Sequence, residues 1–372
     1  MGKFFVSFTA IVGTIIGAGF LGIPYVIMKS GFLIGIIHLM LLGAVIALVS
    51  LYLGEITLRT PGNHQLSGYA GIYLGKKGKA LMLFSAAFGI YSALLAYLIG
   101  ESESLSFLFS GTLNFRLYFA FAFWALLSLI SFFGIRALEK GDFLGVSAVF
   151  IIIILLLILF LPKISLDNLN YINLNNFFAP FGVILFAYLA FSIIPEIKNI
   201  LGSEKRKVRP VIIFAYSFAF ILYVVFSGIV LGYKGLGTPE IATLSLGWPF
   251  ILLGMATMFT SYLSLSIALM DSFRLDFKIS RLLSWFLVIS IPIILYIIAY
   301  LTGAVSFTSI ISIGGIISGG LAAILILAMV KTAKIKGRIN PEYSLPLPKT
   351  LKIILWLVFI FGAAFEIYNL LQ

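Results

Sequence analysis

Cysteine is absent from the 372 residues. That removes disulfides, thiolate metal sites and cysteine nucleophiles from consideration. Histidine is scarce: His38, inside an apolar run, and His64, in a polar one, are the only two. No H-E-x-x-H or G-x-S-x-G motif occurs, so the zinc-peptidase and serine-hydrolase signatures are missing. Charge is thin as well. Charged residues make up 10% of the chain, where a soluble domain carries about 25%. Acids are the rarer sign, 13 against 25 Lys and Arg. Long polar stretches are also lacking. The longest are 59–78, 163–176, 202–209, 234–246 and 331–349, none large enough for a soluble domain.

Apolar residues fill the space these absences leave. They make up 62% of the chain, and mean hydropathy is +1.16. A soluble fold has no way to hide that much apolar surface, whereas lipid solvates it on every side of a helix. With about 20 apolar residues to a span, eleven spans are expected: 4–28, 32–57, 79–104, 116–135, 142–162, 177–200, 210–233, 247–271, 280–301, 305–330 and 350–371. The run after Lys3 is too long for a cleaved signal and has no small-residue cleavage site, so it is expected to remain as the first span. Pro61 to Gly75 has the pattern of a short interfacial helix.

The net charge of +12 would suggest nucleic acid in a soluble protein. Here the basic residues fall between apolar runs, where cytoplasmic loops gather them. With a cytoplasmic N-terminus, the outer face carries only Lys29, Arg116, Lys163 and Lys234, and the other 21 of the 25 lie inside. The expectation is a multi-pass protein of the cell membrane with its C-terminus outside. Its surroundings are lipid, and no nucleic acid partner is expected.

Two spans carry matching interruptions. The first contains GTIIGAGFLGIP, Gly13 to Pro24, and the sixth LFAYLAFSIIP, Leu185 to Pro195. Both include F-x-x-I-P, at Phe20–Pro24 and Phe191–Pro195, five spans apart and so in opposite senses. Paired broken helices in inverted halves mark the binding site of many transporters. Unwound backbone at mid-membrane is tolerated where it lines a cavity. A half-helix beginning near Phe20 would offer free N–H groups and a positive dipole end to a carboxylate. Carbonyls of Ile15 and of Phe186 to Leu189 would suit an ammonium group. The competing reading of Gly13, Gly17 and Gly19 is close helix packing, which is the expected role of Gly314, Gly315, Gly319 and Gly320.

At these residues the chain resembles the amino acid/auxin permease family of the amino acid–polyamine–organocation superfamily. SYLSLSIALMDSF, Ser261 to Phe273, is similar to the eighth helix of bacterial aromatic amino acid permeases for tyrosine and tryptophan. The resemblance implies one transmembrane domain, residues 1–372, with the leucine-transporter-type fold. In it, five helices (1–162) and five inverted helices (177–330) are followed by one extra (350–371). It implies carboxylate binding at Gly17, Ala18 and Gly19, and ammonium binding at Ile15, Phe186 and Leu189. Selectivity would come from Phe20, Tyr188, Ala190 and the third span near Gly89 and Tyr91. No cofactor is implied.

For the coupling ion, sodium-coupled relatives imply Gly13 and Ile16 with Ser261 and Ser264. Leu265 stands where a second hydroxyl is expected, and Thr260 is the substitute. The lysine that some proton-coupled relatives place in the fifth helix is missing from Phe143 to Leu161. The balance favours proton over sodium. Glu55, Glu101, Glu103, Glu196, Asp271 and Glu366 are the acids to consider, since ionisable groups inside a membrane are costly and often functional. Most of them lie near span ends, within reach of water. The expected function is ion-coupled secondary transport of neutral or aromatic amino acids. An exchanger or a non-transporting sensor of the same fold is the alternative, and an enzyme or a channel fits less well.

Overall fold

The computed structural model describes residues 2–17, 19–133, 154–276, 278–303 and 306–370. Ala18 and most of the expected fifth span lie outside the described residues. What is described is helical. No strand occurs there beyond an isolated bridge between Gly31 and Ile172.

The helices follow the apolar runs. They are α1 (Lys3–Ile15), α2 (Gly19–Ser30), α3 (Phe32–Arg59), α4 (Leu66–Ser110), α5 (Arg116–Phe133) and α6 (Ile154–Lys163). Then come α7 (Phe181–Ala187), α8 (Ile194–Leu201), α9 (Val208–Lys234), α10 (Trp248–Asp276), α11 (Arg281–Thr302), α12 (Phe307–Gly314), α13 (Leu321–Lys336) and α14 (Lys349–Leu370). Among the described residues, seven helices or continuous helical runs are long and apolar enough to cross a membrane. The bent pair α1–α2 makes an eighth if it counts as one span. Large apolar side chains such as Tyr118, Phe133, Ile158 and Leu301 are exposed on the outside of the bundle, where a bilayer would cover them.

Two groups of helices are visible. In one, α3 packs along α9, α1 along α8 and α9, and α2 along α7 and α9. In the other, α4 is the hub for α5, α10 and α11. Two indoles lock α5 to α11: Trp124 donates to the Ile289 carbonyl and Trp285 to that of Ser128, each at 2.9 Å. The run α12–α13 lies between the groups, touching α4, α3 and α7.

Local departures have identifiable causes. Gly75, at φ 76°, kinks α4. This sets off Leu66–Leu74 as the short helix expected from the sequence, although it starts at Leu66 and not at Pro61. Gly31, at φ 101°, makes the turn from α2 to α3, and a Cβ there would collide with Tyr171 and Ile172 of the loop crossing over it. Between α12 and α13 the chain widens into a π-helix, Gly315–Gly320. The packing role expected for these glycines holds for three of four. A Cβ on Gly315 would lie 2.8 Å from the Phe186 nitrogen, one on Gly319 2.7 Å from Leu189, and one on Gly314 2.7 Å from Ser92. Gly320 is roomier, with its nearest neighbour at 3.9 Å.

After α13 the chain runs extended as a strap beneath α3. Tyr343 donates to the Leu51 carbonyl at 2.7 Å, and Tyr52 answers with a bond to the Pro346 carbonyl at 2.8 Å. Burial, and then the neighbouring Glu55, pushes the Tyr343 phenol well above its ordinary pKa.

Candidate substrate site at two helix breaks

The first interruption is a real break. α1 ends at Ile15, α2 begins at Gly19, and their axes differ by 54°. The second is also real: α7 ends at Ala187 and α8 resumes at Ile194, with Pro195 in its first turn where a missing N–H costs nothing. The two breaks meet. A Cβ on Gly19 would stand 2.8 Å from the Ala187 Cα and 2.9 Å from its Cβ. Gly19 is therefore where the two broken helices touch.

Helix α9 fastens both breaks. The Tyr223 hydroxyl lies 2.9 Å from the Ile15 carbonyl and 2.9 Å from that of Ala187, the last residue of each first half-helix. Two turns away, the Tyr216 hydroxyl donates to the Tyr188 carbonyl at 3.2 Å and pairs with Ser50 at 2.8 Å. The rings of Tyr188 and Tyr223 pack at 5.2 Å. The Ile15 carbonyl also accepts the Gly17 N–H at 2.9 Å, so it has two donors within reach. The opening N–H groups of α2 have no partner within their own helix.

The expected site residues divide by location. Ile15, Gly17, Gly19, Phe186, Tyr188, Leu189 and Ala190 are at the breaks. Phe20 is buried against Phe226 at 5.0 Å. The Tyr188 side chain is fully buried, with its hydroxyl unpartnered beside Gly43. Phe186 and Leu189 pack on the π-helix glycines. From the third span, Gly89 packs on Ser318 and Tyr91 bonds the Leu287 carbonyl of α11 at 3.3 Å. The α4 residue that meets the break is Tyr97, whose hydroxyl would be 3.2 Å from a Cβ on Gly17. Sequence reasoning missed Tyr97, Tyr216 and Tyr223, because a tyrosine in an apolar run looks the same whether it packs or faces a break.

Among the described residues, no hydrogen bond joins the expected ion-site residues of α1 and its break, Gly13 and Ile16, to those of α10. Thr260 bonds the Ala256 and Thr257 carbonyls, and Ser264 bonds that of Thr260, both from exposed positions on α10. Ser261 and Gly13 are half-buried, and Ile16 is buried.

Three of the six acids, Glu55, Glu101 and Glu366, are buried, against the expectation that most reach water; Glu103 is partly buried, and Glu196 and Asp271 are exposed. Glu55 is 1% exposed and belongs to the strap. It accepts from Arg59 at 2.8 Å, from the Ser344 hydroxyl at 2.8 Å and from the Leu345 N–H at 2.8 Å, with Lys334 at 3.8 Å. Glu366 is buried and accepts from Ser312. Glu103 lies 3.8 Å from Arg116, and Asp271 3.5 Å from Arg274. Glu101 is buried, and its Oε1 has no partner. Lys198, on α8, is also buried, and its ammonium binds the carbonyls of Thr57, Thr60 and Gly62 at 3.1, 2.8 and 3.0 Å.

The model of the tryptophan/tyrosine permease family matches residues 1–238, a stretch that includes both breaks and α9. The chain belongs to that family. This permease is also similar over nearly its whole length to glutamine transporter 2 of Aliivibrio fischeri, at 24% identity over 356 residues covering 90% of each chain. Membership makes it a transporter and not an enzyme, a multi-pass membrane protein whose apolar helices match that role.

Proposed function

We propose that this permease is a secondary active amino acid transporter, coupled to an ion and working by alternating access, with a neutral or aromatic amino acid as substrate. The observation that carries the proposal is the meeting of two broken helices at one point, held by Tyr223. One break would offer the N-terminal end of α2 to a carboxylate, and the other the carbonyls of Phe186 and Leu189 to an ammonium group, the Phe186 carbonyl giving up the Leu189 N–H it now accepts at 3.0 Å. The Gly17–Ile15 hydrogen bond holds the place of the substrate. On binding, Gly17 exchanges it for the carboxylate, and the Ile15 carbonyl is released to the ammonium group.

The packing supports the leucine-transporter-type arrangement of five and five inverted helices plus α14, eleven spans in all. The first two and the sixth and seventh spans form one group, and the third, fourth, eighth and ninth the other. The basic-residue asymmetry supports a cytoplasmic N-terminus. Exposed hydroxyls on α10 that bond their own helix favour the proton over sodium as the coupling ion. The family description and the glutamine-transporting relative support amino acids as the class of substrate.

Uptake of labelled tryptophan, tyrosine, leucine, alanine and glutamine into proteoliposomes, under separate inward proton and sodium gradients, tests the reading. Accumulation of one of them under one gradient is expected. Binding or exchange without accumulation under either gradient would make the protein an exchanger or a sensor.

A further inference from the structure

Glu101 differs from the other acids of the spans. It is 1% exposed, and Oε1 meets no donor. Glu55 has Arg59, Ser344 and Leu345, and Glu366 has Ser312. The ionisable groups around the outer half of α4 are occupied elsewhere. On α4 itself, Glu103 faces Arg116 of α5 at 3.8 Å, and Arg116 also lies over the Tyr300 ring of α11. Tyr296 of α11 bonds Ser102 at 3.0 Å. Glu240, from the loop before α10, accepts from the Thr308 N–H at 3.1 Å. Tyr262 of α10 is buried with its hydroxyl unpartnered and its ring on Phe123, and α12 carries no ionisable residue.

Its position gives that isolation a use. Glu101 is four residues beyond Tyr97, on the same face of α4, and about 6 Å further along the axis. Tyr97 is the α4 residue that meets Gly17 at the first break. The carboxyl thus sits one turn to the outer side of the substrate site. Burying an ionised carboxylate with no partner is expensive, and taking up a proton removes that expense.

We infer that Glu101 is the proton-binding site of this permease: a proton from the outer solution adds to its carboxylate, and the outer side closes over the neutral acid. This rests on the reading of the protein as a proton-coupled transporter. In the return half of the cycle the same proton leaves for the cytoplasmic solution when the site opens inward, passing the Tyr97 level and the break. No other group changes its proton count, and one positive charge crosses with each neutral zwitterion.

The test uses the full-length protein in proteoliposomes with a pH dye trapped inside, and the amino acid that wild type accumulates. Glu101→Gln keeps the shape and removes the titration. It should exchange labelled for unlabelled substrate at the wild-type rate. It should lose accumulation under an inward proton gradient, and lose the internal acidification that substrate triggers. Glu101→Asp should recover both coupled signals. Normal gradient-driven accumulation by Glu101→Gln would overturn the assignment. So would loss of exchange together with accumulation, which would make the carboxyl a folding or substrate-binding group. If wild type itself accumulates nothing under a proton gradient, the proton-coupled reading fails first, and the inference falls with it.

Discussion

Tyr223 and Ile15 are 208 residues apart, and the phenol of one lies 2.9 Å from the carbonyl of the other. The same hydroxyl is 2.9 Å from Ala187, yet it carries a single proton. It can donate fully to only one of the two half-helices at a time, which suits a joint whose sides shift against each other.

Tyr223→Phe keeps the ring and removes that proton. Leaving a buried carbonyl unsatisfied costs about 1–3 kcal/mol. The variant should unfold at a lower temperature in detergent and transport more slowly, with its binding affinity changed less than its turnover. A melting curve and initial-rate uptake would show this. Unchanged stability and rate would mean that the hydroxyl is not a fastener.

Gly17 and Gly19 should behave differently as alanines. At Gly19 the new methyl would press on Ala187 backbone at 2.8 Å, an overpacking that costs about 1–3 kcal/mol. Gly19→Ala should lose stability and uptake together. At Gly17, among the described residues, the close atom is the Tyr97 hydroxyl at 3.2 Å. Gly17→Ala should fold normally and bind substrate more weakly, and adding Tyr97→Phe should recover part of the binding. Substrate titration by tryptophan fluorescence or scintillation proximity would check both.

Glu55→Ala should release the strap. Breaking a buried ion pair by removing one partner costs about 3–5 kcal/mol, because Arg59 and Lys334 then face each other across an emptied site. Glu55→Gln keeps the shape and one acceptor oxygen but sets an amide donor among the groups that donate to Glu55, Arg59, Ser344 and Leu345, so it should lose less than the alanine but not stay neutral. Faster proteolysis between Arg338 and Lys349 in Glu55→Ala is the expected sign, read by mass spectrometry.

The absence of cysteine makes single-cysteine labelling direct. With the proposed orientation, Lys163→Cys should react with an impermeant maleimide in intact cells, and Lys77→Cys should react only after permeabilisation. The reverse pattern would invert the protein.

The breaks were legible in the sequence because glycine and proline disrupt a helix wherever it is placed. What fastens them was not. Tyr216 and Tyr223 are two among 17 tyrosines, and their roles follow from which helix lies alongside α9. Gly19 shows a subtler limit. A glycine that permits an unwound backbone and one that permits close approach read alike, and here the approach to Ala187 is part of the answer. Glu55 is one of the acids considered for the ion; its partner Arg59 lies only four residues on, but Ser344 and the Leu345 N–H, which tie it to the strap, are 289 and 290 residues away. Tyr91 was nearer the expected depth than Tyr97 in the chain, but it turns toward α11.

The π-helix at Gly315–Gly320 divides one span into two mechanical parts. Its wide turns loosen the ladder of backbone bonds, and Ser85 of α4 takes the Ser318 carbonyl at 2.7 Å. Beyond it, α13 is bound through Lys334 and Glu55 to the end of α3. Before it, α12 lies on α4 and α7. A push delivered to the part before it need not reach the part beyond, so in the proposed alternating-access cycle one gate could swing while the other stays shut.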